Sequence, residues 1–156
     1  MRLTLLVVGR VKKGWVVSGC QEYLERLPHY FPTRVVEVKD EVGHNLTTDE
    51  VRRREGLRLR EKIPPGSHII CLDEFGKSWT STQCADFLAQ QRDSGLKELT
   101  LVIGGPLGLD RSLMASAHTR LSLSSMTLPH ELARLILLEQ LYRACTILKG
   151  EPYHNP

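Results

Sequence analysis

The sequence predicts one α/β domain, spanning residues 1–156, in which a mainly parallel sheet is flanked by helices. Short apolar segments alternate with longer segments of helical periodicity along the whole chain. The short segments are apolar on both faces, which is typical of parallel strands covered by helices on each side. A chain of 156 residues is also long enough to bury roughly two thirds of its unfolded surface around one core.

The predicted elements alternate strictly. The strands are expected at 2–9, 34–40, 68–73, 99–105 and 119–125. The helices are expected at 15–27, from about 47 to the prolines at 64 and 65, at 81–92, just after Asp110, and at 129–148. No repeat, linker or low-complexity segment interrupts this order.

Local signals justify the main helices. In the first, Val16, Cys20 and Tyr23 fall on one helical face. The second should begin at Thr47, which has capping-box spacing to Glu50. Asp110 could cap the short fourth helix, and the last is apolar nearly all round, which predicts burial on more than one side.

Composition excludes several classes of protein. Hydrophobic residues make up 41% and charged residues 25%, an ordinary globular mix, and the net charge of +3 is too small to indicate a nucleic-acid partner by itself. The N-terminal apolar run is too short for a signal sequence, and no stretch approaches the ~20 apolar residues of a membrane span. Four separated cysteines suit free thiols in a reducing cytoplasm. They and the scattered histidines lack metal-ligand spacing, so we expect no metal.

Candidate binding residues follow three strands. In an open α/β sheet, ligands bind beyond the carboxyl ends of the strands. The segments there are LDEFGKSW at 72–79, IGGPLGLD at 103–110 and SLSSMTLPH at 122–130. The first is interpreted as a loop after the third strand. We therefore expect all three segments to meet at one edge of the sheet.

The two later segments differ in what they indicate. Gly104 and Gly105 would let a flat ligand approach the main chain, but GGPLG alone fits a tight strand-to-helix turn equally well. Neither a GxGxxG fingerprint nor a P-loop is present. The segment 122–130 mixes serine and threonine hydroxyls with leucine and methionine side chains. That mixture suits an adenine-sized group bound largely through backbone atoms.

Four ordered blocks carry a family resemblance. LDEFGKSW, LVIGGPLGL, LSLSSMTLPHELARLILLEQLYRA and the terminal PYH resemble the ribosomal large subunit methyltransferase H family, of the SPOUT class of RNA methyltransferases. The resemblance runs from residue 1 to the tail. It implies a C-terminal trefoil knot, a homodimer, and S-adenosylmethionine bound in the knotted loops. The implied reaction is methylation of ring N3 of a pseudouridine in large-subunit rRNA, within the assembled ribosome.

The resemblance also implies a cofactor site. Its residues would be Leu72, Gly104, Gly105, Leu123, Ser124, Ser125, Met126, Thr127 and Leu128. Leu72 and the run 123–128 would line the adenosine, and the glycines would leave room for the ligand. No metal is implied, since the methyl sulfonium is already activated and the protein must mainly align donor and acceptor.

The C-terminal tail supplies candidate catalytic residues. Pro152, Tyr153 and His154 match the PYH of the family, and we expect this tail to cross a dimer interface and help close the partner's substrate site. Tyr153 would stack on or hydrogen-bond to the target nucleotide. His154 would act as a proton acceptor or as a positioning group, because N3 must lose its proton before it can attack. The family has a charged residue after this histidine, where this chain has Asn155 and Pro156.

Other histidines carry weaker signals. His130 lies at a helix start, where a neutral capping role and a catalytic role are equally compatible with the sequence. The remaining four, His29, His44, His68 and His118, have no sequence neighbour that indicates catalysis.

Glu139 and Arg143 form a second candidate constellation on the last helix. They are four residues apart, so an ordinary surface pair is the simplest interpretation. The surrounding helix is apolar, however, and a charged pair on a buried helix is costly unless it has a purpose. The resemblance implies that Arg143 reaches the RNA and Glu139 orients it. Arg134 is a lesser candidate for the interface.

Basic residues elsewhere leave the RNA contacts open. The segment RRREGLRLREK at 52–62 fits either a solvated helix or an RNA-binding face, and Lys12, Lys13 and Trp15 form a small basic and aromatic patch. A Rossmann-type oxidoreductase is disfavoured by the missing fingerprint. A methyltransferase acting on another RNA such as tRNA, and a non-catalytic ribosome-binding factor, remain the alternatives.

Overall fold

Strands and helices alternate along the chain in the computed structural model, which describes residues 1–43 and 45–155. His44 and Pro156, both named above, lie outside the described residues. The strands are β1 (Arg2–Val8), β2 (Thr33–Val38), β3 (His68–Ser78), β4 (Glu98–Ile103) and β5 (Thr119–Ser122). The helices are α1 (Gly14–Arg26), α2 (Thr48–Lys62), α3 (Ser81–Asp93), α4 (Arg111–Ala115) and α5 (His130–Lys149), with a 3-10 turn at Leu27–His29. The predicted α/β alternation is confirmed.

The strands form one sheet in the order β2-β1-β4-β3-β5. Every neighbouring pair is parallel, with registers such as Leu5 to Val35 and Ile70 to Leu101. The carboxyl ends of β4, β3 and β5 are therefore adjacent at one edge. This topology brings together the three segments that the sequence placed after strands.

Two helical layers cover the sheet. Alternate residues of β1 face opposite sides, so Leu5 belongs to the core under α1, α3 and α5, whereas Leu6 belongs to the core under α2 and α4. Both leucines are fully buried, and burial of each such side chain is worth roughly 1.5–3 kcal/mol. Within the described residues, no helix is both long and apolar enough to cross a membrane.

Two predicted helix caps are confirmed. Thr47 Oγ1 accepts the backbone N–H of Glu50, and Glu50 Oε2 accepts the N–H of Thr47, which completes the capping box of α2. Asp110 Oδ2 accepts the N–H groups of Ser112 and Leu113 at the start of α4. These bonds satisfy amides that a helix start leaves without intrahelical partners.

The interpretation of 72–79 as a loop was wrong, because β3 continues to Ser78. Leu72 and Lys77 both pair with Leu121, and the residues between them form a bulge. Gly76 permits this arrangement, since a Cβ there would lie 2.7 Å from the Arg120 backbone. The charged residues and glycine of this segment have low strand propensity, so local pattern could not reveal pairing with a strand 45 residues later.

Candidate functional site

A cavity of about 590 Å³ lies at the carboxyl ends of β3, β4 and β5. This volume falls in the usual range for small-molecule sites. Its walls come from the bulged part of β3, the loop between β4 and α4, and the loop between β5 and α5. The predicted meeting of three segments at one sheet edge is confirmed.

Most of the predicted cofactor residues line this cavity. Those in the lining are Leu72, Gly105, Leu123, Ser124, Met126, Thr127 and Leu128. Gly104 is buried behind the wall, and Ser125 is exposed outside it. The structure thus brings seven of the nine predicted cofactor residues around one cavity. That these residues bind a cofactor stays a prediction.

Glycines shape one wall of the cavity. Residues 105–108 form a tight turn in which the Gly108 N–H donates to the Gly105 carbonyl over 3.0 Å. Gly108 has φ +86°, a conformation that other residues rarely adopt. A Cβ on Gly104 would lie 2.9 Å from the Gly108 backbone, so a side chain would push the turn out of place. The GGPLG segment is therefore a strand-to-helix turn and a cavity wall at once.

The opposite wall is the loop after β5. Ser122 Oγ donates to the Ser124 carbonyl, and Ser124 Oγ accepts the N–H of Met126, both over 2.9 Å. The serine side chains therefore hold the loop in shape and leave its apolar side chains to the cavity. Met126 is 76% exposed at the mouth.

Sequence reasoning missed the lining residues that lie outside the three predicted segments. They are Arg52, Arg111, Met114, Arg120 and Leu121. The segments themselves add further lining residues that were not assigned individually to the cofactor: Asp73, Glu74, Phe75, Pro106, Leu107, Gly108, Leu109 and Ser122. Arg52 reaches the cavity from α2, where its Nε donates to the Leu107 carbonyl over 2.6 Å. Nothing in its own stretch signals this contact, because the partner lies 55 residues away.

Several arginines of α2 contact other parts of the fold. Arg58 pairs with Glu41 and donates to the Lys39 carbonyl, and Arg60 donates to Ser112 Oγ. These contacts indicate that the arginines help to hold α2 in the fold, which favours a structural role for them over RNA binding. Trp15, in contrast, is 62% exposed beside Lys12 and Lys13.

The C-terminal tail forms a polar and aromatic cluster with α5, which we call the tail cluster: Glu139, Arg143, Tyr153 and His154. Arg143 donates to Glu139 Oε1 through Nε at 3.0 Å and Nη2 at 2.5 Å. Its guanidinium lies 4.8 Å from the centroid of the Tyr153 ring. Its Nη1 is 3.5 Å from Nδ1 of His154. One arginine therefore contacts the other three members.

Tyr153 is held as a neutral phenol. Its hydroxyl donates to Glu139 Oε1 over 3.1 Å and lies 3.3 Å from the Tyr23 hydroxyl. Burial, the Tyr23 hydrogen bond and the nearby Glu139 carboxylate raise the pKa of Tyr153 above its ordinary value. The hydroxyl consequently serves as a hydrogen-bond donor and not as a proton acceptor near neutral pH.

Further contacts fix the tail to its own protomer. The Tyr30 hydroxyl donates to Glu151 Oε2 over 2.5 Å, and Tyr142 meets the Tyr153 ring edge-on at 4.8 Å. Gly150 ends α5 in a left-handed conformation with φ +67°, which turns the chain back. The described part of the tail is therefore held by contacts with α5 and with the segment that follows α1.

The cavity and the tail cluster are separate within one protomer. None of the four tail-cluster residues belongs to the described lining of the cavity. The structure thus brings the predicted cofactor residues together and the predicted tail residues together, but it does not join the two groups.

Three other histidines, His68, His118 and His130, lie outside the tail cluster and the described lining of the cavity. His68 and His118 stack with ring centroids 4.5 Å apart at the amino end of β3, and His118 Nδ1 accepts the Ile69 N–H. Burial, followed by the neighbouring His118, lowers the pKa of His68. His130 is half-buried, and burial is the main cause that lowers its pKa. Its neighbour Pro129 forms the N-cap of α5 without any side-chain hydrogen bond.

Arg134 is not available as an interface residue. It is 4% exposed and donates to Glu37 Oε1 at 2.7 Å and to the Gly9 carbonyl at 2.8 Å. Its charge joins α5 to the ends of β1 and β2. Across the described residues, no three His, Cys, Asp or Glu side chains are grouped to hold a metal ion.

Comparisons with known structures support the fold. A probable methylase family protein from Haemophilus influenzae superposes with a TM-score of 0.55 at 11% identity, covering 99% of this chain and 70% of that one. A putative methylase family protein from Neisseria gonorrhoeae gives a TM-score of 0.55 at 10% identity, covering 99% and 86%. At such identity the likeness concerns the fold alone.

Sequence comparisons extend over nearly the whole chain. Residues 1–154 match the family model described as "Predicted SPOUT methyltransferase". The chain is 46% identical over 155 residues to Ribosomal RNA large subunit methyltransferase H of Syntrophotalea carbinolica, covering 99% of both proteins. It is 44% identical over 155 residues to the protein of the same name from Gemmatimonas aurantiaca, covering 99% of this chain and all of that one. The chain therefore belongs to the ribosomal RNA large subunit methyltransferase H family of SPOUT methyltransferases.

Proposed function

We propose that this protein uses S-adenosylmethionine to methylate ring N3 of a pseudouridine in large-subunit rRNA, acting on the assembled ribosome in the cytoplasm. The observation that carries the proposal is the cavity, because seven of the nine residues that the family resemblance assigned to the cofactor line one space. Relatives along the full chain carry the name of a large-subunit rRNA methyltransferase, which supports rRNA as the substrate.

The cavity fits the cofactor in size and chemistry. Leucine side chains at 72, 123 and 128 provide apolar walls for an adenine, and Ser124 and Thr127 add hydroxyls. A Cβ at Gly104 or Gly105 would meet atoms at 2.9–3.1 Å, so the glycine wall leaves no space to spare for side chains. The bound cofactor would supply an activated methyl group, and these residues would hold it still and exclude water.

The tail cluster would act on the acceptor base. Arg143 can bind the RNA as a cation, and Glu139 fixes its direction through two hydrogen bonds. Tyr153 offers its ring for stacking on a base. Arginine nitrogens only donate, so the 3.5 Å contact of Arg143 Nη1 with Nδ1 of His154 favours the tautomer in which Nδ1 accepts and Nε2 carries the hydrogen. This tautomer favours a positioning role for His154, with Nε2–H donating to an oxygen of the base.

A homodimer would join the two regions. Because the tail cluster does not line the cavity of its own protomer, we propose that the tail completes the cavity of the partner subunit. Exposed apolar side chains on α1, Trp15 at 62% and Val17 at 43%, offer surface for such contact. We also propose, on the family resemblance, that the C-terminal part is threaded as a trefoil knot.

Transfer of a labelled methyl group tests the proposal. Cofactor carrying the label in its methyl group is supplied with assembled ribosomes from a strain that lacks the modification, and the label is mapped to a nucleoside. We expect label in N3-methylpseudouridine. Cofactor binding without label would contradict this substrate and favour another RNA such as tRNA, and loss of both binding and label would favour a non-catalytic ribosome-binding factor.

A further inference from the structure

One carboxylate lies on the buried face of α2. The buried residues of this helix are Val51, Glu55, Gly56 and Leu59, and Glu55 is only 2% exposed. Burial is the main cause that raises the pKa of the Glu55 carboxyl. An apolar side chain would pack at this position without the cost of desolvating a carboxyl group.

Only one oxygen of this carboxyl has a partner. Glu55 Oε1 accepts the backbone N–H of Glu41 over 3.0 Å, which ties α2 to the beginning of the β2–α2 connection. Glu55 Oε2 is buried and has no hydrogen-bond partner among the described residues. A buried acceptor without a hydrogen-bond partner destabilises the folded state more than a satisfied one does. Such a group therefore needs an explanation, and a role in binding is one.

The free oxygen lies next to the cavity wall. A Cβ on Gly105 would be 3.2 Å from Glu55 Oε2 and 3.6 Å from Oε1. Gly105 itself lines the cavity, so a single backbone residue separates the carboxyl from the ligand space. The absence of a side chain at Gly105 thus allows the Glu55 carboxyl to lie directly against the main chain of the cavity wall.

The same helix holds this loop at two further points. Arg52, one turn before Glu55, donates to the Leu107 carbonyl over 2.6 Å. Gly56 fits closely against the N-cap of α4, since a Cβ there would lie 2.7 Å from Cβ of Asp110. Residues 105–110 therefore rest on α2, and Glu55 is the contact nearest the two glycines.

We propose that Glu55 is a positioning residue for the cofactor wall, whose Oε2 accepts a hydrogen bond from the main-chain N–H of Gly104 or Gly105 when the cavity holds its ligand. This inference rests on the proposed function, since the ligand it concerns is S-adenosylmethionine. An acceptor beneath the glycine turn fixes the turn in the ligand-bound shape, because this hydrogen bond satisfies a carboxyl oxygen that is otherwise buried without a partner. The stabilisation is realised in the complex, whereas the desolvation cost is present in the free protein.

The substitution Glu55→Gln separates this role from a merely structural one. Glutamine has the same shape, and its single oxygen still accepts the Glu41 N–H. Its amide nitrogen then takes the place of Oε2, so that a donor faces a donor at the glycine turn. We expect cofactor affinity, measured by titration calorimetry, to fall about tenfold, while the melting temperature stays unchanged or rises. The matched control Glu61→Gln, an exposed position on the same helix, should change neither quantity.

The outcomes are distinct. Unchanged cofactor affinity in a stable Glu55→Gln protein would overturn the inference, because a purely structural carboxyl tolerates this replacement. Failure of the wild-type protein to bind the cofactor would overturn the proposed function and this inference with it. Should the variant not fold, NMR of the wild-type protein decides: the amide proton of Gly104 or Gly105 should move downfield on addition of cofactor, and no such shift would contradict the hydrogen bond.

Discussion

The cavity and the tail cluster are built by opposite means. The cavity is formed by backbone turns and apolar side chains at one edge of the sheet, with glycines that bring the main chain close to the ligand space. The tail cluster is formed by charged and aromatic side chains that bond to one another through Glu139 and Arg143. The first arrangement suits retention of a cofactor, and the second suits contact with a polar, anionic substrate. The proposed reaction needs both, and one protomer keeps them apart.

The largest expected effect comes from filling the cavity wall. In Gly105→Val the new Cβ would lie 3.1 Å from Val8 Cγ1 and 3.2 Å from Glu55 Oε2, and the added methyl groups would crowd the turn further. We expect cofactor binding to fall below detection in calorimetry. Gly14→Ala is the matched control, because no atom of the described residues beyond its chain neighbours and helix backbone lies within 4 Å of a Cβ there, and its binding should equal that of the wild type. Wild-type affinity in Gly105→Val would disprove the assignment of this wall.

Removal of the tail should separate the two regions cleanly. Deletion of residues 152–156 takes away Tyr153 and His154 but no cavity residue. We expect cofactor affinity to remain and methyl transfer to ribosomes to be abolished. Deletion of residues 155–156 alone keeps both side chains and should retain transfer. If the protein lacking residues 152–156 still transferred the methyl group, the proposed role of the tail in the reaction would be contradicted.

Arg143 is expected to have the next largest effect. It contacts the other three members of the tail cluster, so Arg143→Ala removes the group that organises them. We expect kcat/KM on ribosomes to fall about 10²-fold, the order of loss that a misplaced reacting geometry produces. Thermal unfolding should change little because the residue is only half-buried. Arg92→Ala, at an exposed ion pair on α3, is the control, and equal activity of the two variants would argue against the role.

His154 tests whether the cluster positions the base or removes its proton. If His154 donates from Nε2, the amide of His154→Gln can replace that donor, and the rate should exceed that of His154→Ala by about tenfold. The rate of the glutamine variant should also keep the pH dependence of the wild type. A general base predicts the reverse, with both variants equally slow and the rise of the rate with pH lost. The pH–rate profiles of the three proteins decide between these roles.

The smallest expected effect concerns stability and pH. The pKa of Glu55 is raised in the folded protein, mainly by burial, so the folded state holds this proton more tightly than the unfolded chain. Between the ordinary glutamate pKa and the raised one, the free energy of unfolding should therefore decrease as the pH rises. Glu55→Gln removes this component of the slope. Denaturant titrations at several pH values measure it, and identical slopes would contradict the raised pKa.

The fold could largely be predicted from local sequence signals. Alternating apolar segments gave the strands and helices, and Thr47, Glu50 and Asp110 marked helix starts that the structure confirms. The extension of β3 escaped prediction because Asp73 and Gly76 are poor strand residues in isolation. Their conformation depends on Arg120, which pairs with Asp73 and approaches Gly76 from another strand.

The candidate site could be predicted only in part, because local sequence signals identify some of its residues and distant contacts position the others. Residues expected near the carboxyl ends of strands could be assigned to one edge, as Leu72, Gly105 and Leu123 show, although Leu72 lies within β3. Arg52 and Glu55 could not be assigned to the site from the sequence. They contact the glycine turn from α2, whose many charged residues are typical of a solvent-exposed helix. The contacts of Tyr153 with Tyr23 and Glu139 depend on the return of the chain after Gly150 and carry no pattern along the sequence.

Complementation between protomers tests the central claim, that the cavity of one subunit is completed by the tail of the other. Two variants with different affinity tags are co-expressed: one lacks residues 152–156, and the other carries Ser124→Trp, which fills the cavity from a half-buried wall position. Each homodimer should be inactive. The purified mixed dimer should recover methyl transfer, because the intact cavity of the first subunit meets the intact tail of the second. A mixed dimer that forms and stays inactive, while a wild-type dimer prepared in the same way is active, would contradict the account.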